Sequence, residues 1–138
     1  MSNEALIQAI KNIVALGKAG KPDETYAGYR DLFASSDFRR HKPEDQRQAL
    51  KLMVLAKGAP QPPTPAMIEA HRAAVVPLTE LVKKHGEPSD HELLGICQVV
   101  LGNEEAASQT FRAGLAIERE RNPQSDLCGA LMKRVSLL

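Results

Sequence analysis

Glycine and proline cut this chain into segments whose apolar residues repeat with the period of an α-helix. A Gly just past a helix end accepts the positive φ that reverses the chain. A Pro in the first turn of the next helix pre-sets the helical φ and lacks an N–H that would be unpaired there anyway. No run of β-branched and aromatic residues alternates with period two, so strands are not expected. The pattern predicts an all-α chain of about seven helices.

In the first segment Leu6, Ile10, Ile13, Val14 and Gly17 share one face, and Gly17 and Gly20 weaken its end. Pro22 opens the second helix, with Asp23 and Glu24 at the positive end of its dipole. Tyr26, Tyr29, Leu32 and Phe33 follow, and the helix is expected to stop near Ser35-Ser36. A basic connector, Arg39-Arg40-His41-Lys42, leads to Pro43-Glu44-Asp45, which reads as a third helix start. That helix is nearly all apolar from Ala49 to Ala56, which predicts burial of its second half on most sides. Gly58 and Pro60 stop it, and residues 59–65 form a stiff, proline-rich loop.

Thr64 is the expected cap of a fourth helix with Pro65 at its first position and Pro77, a kink signal, inside it. Gly86 and Pro88 end it. Ser89 and Glu92 have the spacing of a capping box for a fifth helix. Gly102 breaks the chain after Leu101, and Asn103 is the expected cap of a sixth helix running to about Arg121. After Asn122-Pro123 a last helix carries Leu127, Ala130, Leu131, Val135 and Leu138 on one face.

The charge balance narrows the function classes. With 18 Lys+Arg against 17 Asp+Glu, the net charge of +1 gives no field to steer the chain onto nucleic acid or an anionic membrane. No apolar run approaches the ~18–20 residues that span a bilayer. Met1-Ser2-Asn3-Glu4 carries an acid and no basic region, so no secretory signal is expected and the location expected is cytoplasmic. Cys97 and Cys128 both lie in apolar helical stretches and read as buried free thiols in a reducing compartment.

Catalytic and metal motifs are missing from the sequence. There is no Gly-x-Ser-x-Gly, phosphate-binding loop, His-Glu-x-x-His or cysteine pair at zinc spacing. His85 and His91 flank the turn Gly86-Glu87-Pro88, but His41, His71, His85 and His91 read as surface or helix-end residues. The basic patch at 39–42 has one aromatic neighbour, Phe38, and reads as a solvated loop. No cofactor, metal site or enzymatic activity is expected.

Residues 89–123 carry a spacing with a family likeness. Leu94-Gly95 is followed by Gly102 at a turn, then Ala107 and Phe111, with Pro123 near the end; Gly95 and Ala107 are twelve apart. This stretch resembles the tetratricopeptide repeat (TPR) family. Small residues at 95 and 107 let two helices of a pair approach closely, and Phe111 fills the space between that pair and the next helix. The chain departs from the family pattern at His91 and Gln98, where aromatic residues are usual, and Pro123 comes about one turn late. Two weaker copies align on Gly20 and Gly58. In the first, Ile13, Thr25 and Tyr29 match Gly95, Ala107 and Phe111; in the second, Lys51 matches Gly95. The glycine spacings, 38 and 44 residues, exceed the family's 34.

The resemblance implies a single TPR-like domain over residues 1–138, a right-handed stack of antiparallel helical hairpins. The pairs would be 3–36, 43–86 and 89–122, with 125–138 as a capping helix whose polar residues Asp126, Lys133 and Arg134 face water. It also implies a concave groove lined by the first helix of each pair. Carried over position by position, the groove residues are Ile7, Ile10, Val14 and Lys18 from the first pair, Gln48, Leu52 and Leu55 from the second, and Glu92, Ile96 and Val99 from the third. This set is mostly apolar. With Glu92 and Ile96 at two of its places, it lacks the Lys/Asn cluster with which some family members hold a C-terminal carboxylate.

The role implied is a non-catalytic adaptor that binds a protein or peptide segment. Alternatives are a chaperone-like protein for a hydrophobic client and, in another class, a metal-binding or enzymatic helical bundle. An apolar groove can also receive the protein's own terminal helix or a second copy of the chain.

Overall fold

A computed structural model describes residues 3–138. The fold is all-α. Among the described residues seven α-helices occur, with no strand: α1 Asn3–Lys18, α2 Pro22–Ala34, α3 Pro43–Val54, α4 Pro65–His85, α5 Pro88–Val100, α6 Glu104–Arg121 and α7 Asp126–Ser136. A single 3-10 turn, Phe38–Arg40, lies between α2 and α3.

The boundaries follow from local chemistry. α2, α3, α4 and α5 each begin on a proline. After α5, the Gly102 N–H bonds the Val99 carbonyl at 2.9 Å and the Asn103 N–H reaches the Gln98 carbonyl at 2.8 Å. This double closure needs a left-handed residue, and Gly102 supplies it with φ of 79°. After α1 the same closure runs through Gly20, φ 75°, with the Lys21 N–H on the Leu16 carbonyl at 3.1 Å.

Three capping expectations resolve differently. Thr64 does cap α4, its hydroxyl accepting from the Met67 N–H at 3.2 Å. Asn103 stands at the N-cap of α6, but its side chain makes no capping bond. The capping box of Ser89 and Glu92 does not form. α5 begins two residues earlier than that cap would set, on Pro88, with Glu87 as N-cap. Proline's fixed φ sets the first helical position, and the Glu92 carboxylate is drawn to Arg134 instead, at 2.8 Å. α7 has a cap of its own: the Ser125 hydroxyl accepts from the Cys128 N–H at 3.0 Å and donates to Glu118 at 2.7 Å.

The chain forms two compact units, divided between Pro77 and Leu78 within α4. In the first, α1 packs against α2, and the glycine of α2 matters here. A Cβ at Gly28 would lie 2.8 Å from the Ile13 side chain. The basic connector is exposed at Arg39, Arg40 and Lys42, as expected of a solvated loop, but His41 within it and Phe38 beside it are buried. Phe38 is fully buried and meets Phe33 edge-on at 5.1 Å, while Phe33 stacks on Tyr29 at 5.7 Å. The Gln46 amide holds the His41 carbonyl at 2.8 Å, which fastens the connector to α3. α3 departs from the all-round burial expected of it. It ends at Val54, and although Ala49, Leu50, Met53 and Val54 are buried, Leu52 and Leu55 are 48% and 43% exposed.

In the second unit α5 and α6 form a tight hairpin onto which α7 folds. Ala107, Phe111 and Leu115 of α6 join Cys128 and Leu131 of α7 in one core, with Ile96, Leu127 and Val135 packed on it. The hairpin is tight because each helix offers a glycine to the other. A Cβ at Gly95 would fall 2.3 Å from the Phe111 ring, and one at Gly114 would fall 2.6 Å from His91. His91 is therefore a packing residue, contrary to the surface placement expected. His41 and His71 are buried as well, and only His85 is exposed.

Candidate functional site

The concave feature of the first unit is a cavity of about 620 Å³. The end of α1 contributes Val14, Gly17 and Lys18; the first half of α2 contributes Thr25, Tyr26 and Tyr29. Leu52 and Met53 of α3, with the loop from Ala56 to Pro60, complete it. The turn glycines Gly20 and Gly58 also line it, so the closure that ends α1 helps to shape it.

Each wall has a stated support. Tyr29 is held from behind by Phe33. The Tyr26 ring lies against His71, centroids 6.2 Å apart and planes tilted by 44°. The His71 ring is itself fixed by a 2.8 Å bond from Nδ1–H to the Met67 carbonyl. The Thr25 hydroxyl is tied to the Lys21 carbonyl at 2.8 Å, which presents its methyl beside Gly17. Burial pushes the Tyr26 phenol above its ordinary pKa of 10.0, and burial followed by the neighbouring Tyr26 does the same for Tyr29. Both are neutral hydroxyls at physiological pH. Burial drives His71 below 6.5, partly offset by its backbone bond to Met67, so its ring is neutral too.

Of the expected groove residues, Val14, Lys18 and Leu52 converge on this cavity. Ile7 and Leu55, 44% and 43% exposed, Ile10, which is half-buried, and Gln48, which is exposed, are not among its lining residues. Sequence reasoning missed Tyr26, Tyr29, Met53, Lys57 and Pro60. The two tyrosines, three apart, gave a helical-face signal, but nothing local separates a core face from a cavity floor.

In the second unit the three expected groove residues part company. Val99 is 40% exposed. Ile96 packs on the core that α7 completes, and Glu92 is ion-paired with Arg134 of α7, its side chain 12% exposed. The terminal helix thus covers part of that face itself. Arg134, expected in water, is half-buried in this pair.

Both cysteines are free and buried, and burial pushes the Cys97 thiol up to about 12. His85 is exposed, whereas His91 is buried with its Nδ1–H on the Glu87 carbonyl at 2.8 Å. Among the described residues no group of three or more His, Cys, Asp or Glu is placed to hold a metal ion. No helix among them is long and apolar enough to cross a membrane.

No family model, curated protein or solved structure matches the chain.

Proposed function

We propose that this chain is a non-catalytic protein-interaction module of the cytoplasm, a divergent TPR-like stack of helical hairpins that binds a segment of a partner protein in an apolar cleft. The hairpin reading is supported by Gly95 and Gly114, each accommodating a side chain of the facing helix, and by Phe111 joining its own hairpin to α7. These are the roles that small and aromatic residues play where repeat hairpins cross and stack.

The observation that carries the binding role is the convergence of Val14, Lys18 and Leu52 on one cavity with an aromatic floor. Pockets of roughly 300–1,000 Å³, largely apolar with a few placed polar groups, are where proteins take ligands. Leu52, 48% exposed, carries this apolar lining out to the surface. Tyrosine floors suit peptide recognition because a rigid ring gives contact area and its hydroxyl gives a directional bond.

The test is affinity capture from the native lysate with the wild-type chain and with Leu52→Asp. Leu52 is half exposed, so the charge leaves helicity intact by circular dichroism. A set of proteins retained by the wild type and lost by the variant is expected. Identical retention by both, or none by the wild type, refutes the cleft as a binding site.

A further inference from the structure

The cavity of the first unit also has a charge polarity that a binding role alone does not specify. Its floor is made by the Tyr26 and Tyr29 rings with Leu52 and Met53. Lys18, the last residue of α1, and Lys57, in the loop after α3, stand exposed along its lining, which contains no Asp or Glu. Among the described residues no ion pair or side-chain hydrogen bond joins either lysine, or either tyrosine hydroxyl, to another residue. The site therefore offers two unneutralised cations and two unused phenol donors around an apolar floor. The chain as a whole, at +1, is nearly neutral, so this one-sided lining is local.

We propose that the cavity selects an acidic partner segment, whose apolar side chain seats among Tyr26, Tyr29, Leu52 and Met53 while a neighbouring Asp or Glu pairs with Lys18 and Lys57. The proposal rests on the reading of this cleft as a peptide site and adds the chemistry of the peptide. At about 620 Å³ the cavity is larger than one aliphatic side chain, so it takes a short stretch. The apolar anchor supplies most of the affinity. Lysine pairs at a wet rim contribute little each and are screened by salt, so they act mainly on choice of partner and on association rate.

The experiment is selection from a bead-displayed library of random heptapeptides with blocked ends, using the full chain. Three proteins are compared: wild type, Lys18→Glu with Lys57→Glu, and Lys18→Gln with Lys57→Gln. Wild type is expected to enrich Asp or Glu within two positions of Leu, Phe or Tyr. The Glu variant is expected to shift the enrichment to Lys and Arg, and to bind the best wild-type peptide about tenfold more weakly. The Gln variant is expected to keep the apolar preference and lose the charge bias. Wild-type affinity is expected to fall several-fold between about 50 and 500 mM NaCl. Apolar peptides enriched without an acidic bias, or a bias that survives charge reversal, overturn this inference and leave the peptide-binding role standing. An empty selection overturns both, as does binding of sodium decanoate with no peptide enriched, because the occupant is then a small amphiphilic acid.

Discussion

Replacing Gly95 by alanine adds one methyl group in the middle of a helix, which in open space is favourable by roughly 1 kcal/mol because glycine is the poorer helix former. Here the methyl meets Phe111, with three ring carbons at 2.3, 2.6 and 2.7 Å from its position. Real contacts of this kind lie beyond about 3.4 Å, so the ring must retreat by close to an ångström. Phe111 is 1% exposed and packed against Cys128 and Leu131, so it has nowhere to go without displacing α7. Overpacking of this severity costs about 3 kcal/mol, and the helix-propensity gain returns about 1. The expected net destabilisation is therefore about 2 kcal/mol. Gly129→Ala in α7 is the matched control: nothing lies within 4 Å of its added methyl, and it is expected to stabilise by about 0.5–1 kcal/mol. Urea denaturation followed by circular dichroism reads both, fitted to the transition that reports the second unit. In a Phe111→Leu background, where the ring is gone, Gly95→Ala is expected to cost much less. If Gly95→Ala stabilises like Gly129→Ala, or its cost is unchanged beside Phe111→Leu, the ring is not seated on Gly95 and the account of the hairpin fails.

Three further outcomes are expected. Ile96→Asp buries a carboxylate against the α7 core and is expected to destabilise by about 3 kcal/mol, in contrast to the mild Leu52→Asp; equal helicity and stability for the two would place Ile96 in an open groove. Burial depresses His71 below its unfolded value of 6.5, so the stability it confers is full above that pH and is lost as pH falls toward the folded pKa. A melting temperature that declines between pH 7.5 and 5, with a shallower decline in His71→Leu, is the result to look for. Cys97, fully buried with its thiol pushed up to about 12, is expected to resist an aromatic disulfide reagent in the native chain at about pH 8 and to react once the chain is unfolded in urea.

The helix count and most helix ends were legible because they depend on short-range chemistry. Pro22, Pro43 and Pro65 at helix starts and Gly20, Gly58 and Gly102 in turns act within a few residues of themselves. Where two local signals competed, as Pro88 did with Ser89 and Glu92, the covalent constraint won over a weak side-chain bond. What was not legible depends on tertiary partners. His91 carries a polar ring, yet it is buried because Gly114 makes room for it. Leu52 and Leu55 sit in an apolar run, yet they are exposed while Ala49, Leu50, Met53 and Val54 beside them are buried. Glu92 looked like a capping or groove residue until Arg134, 42 residues later, supplied a charge. At the candidate site, the cavity that brings Val14, Lys18 and Leu52 together with Tyr26 and Tyr29 emerges only when α1, α2 and the end of α3 are placed together.

The most direct test of a peptide site in the first unit is nitrogen-15 NMR of the labelled chain, titrated with the best peptide from the library selection. Amide shifts are expected to concentrate at Val14, Lys18, Tyr26, Tyr29, Leu52 and Lys57, with the amides of α6 and α7 unmoved. Shifts centred on the exposed face around Val99, or spread evenly over the chain, would contradict a site there.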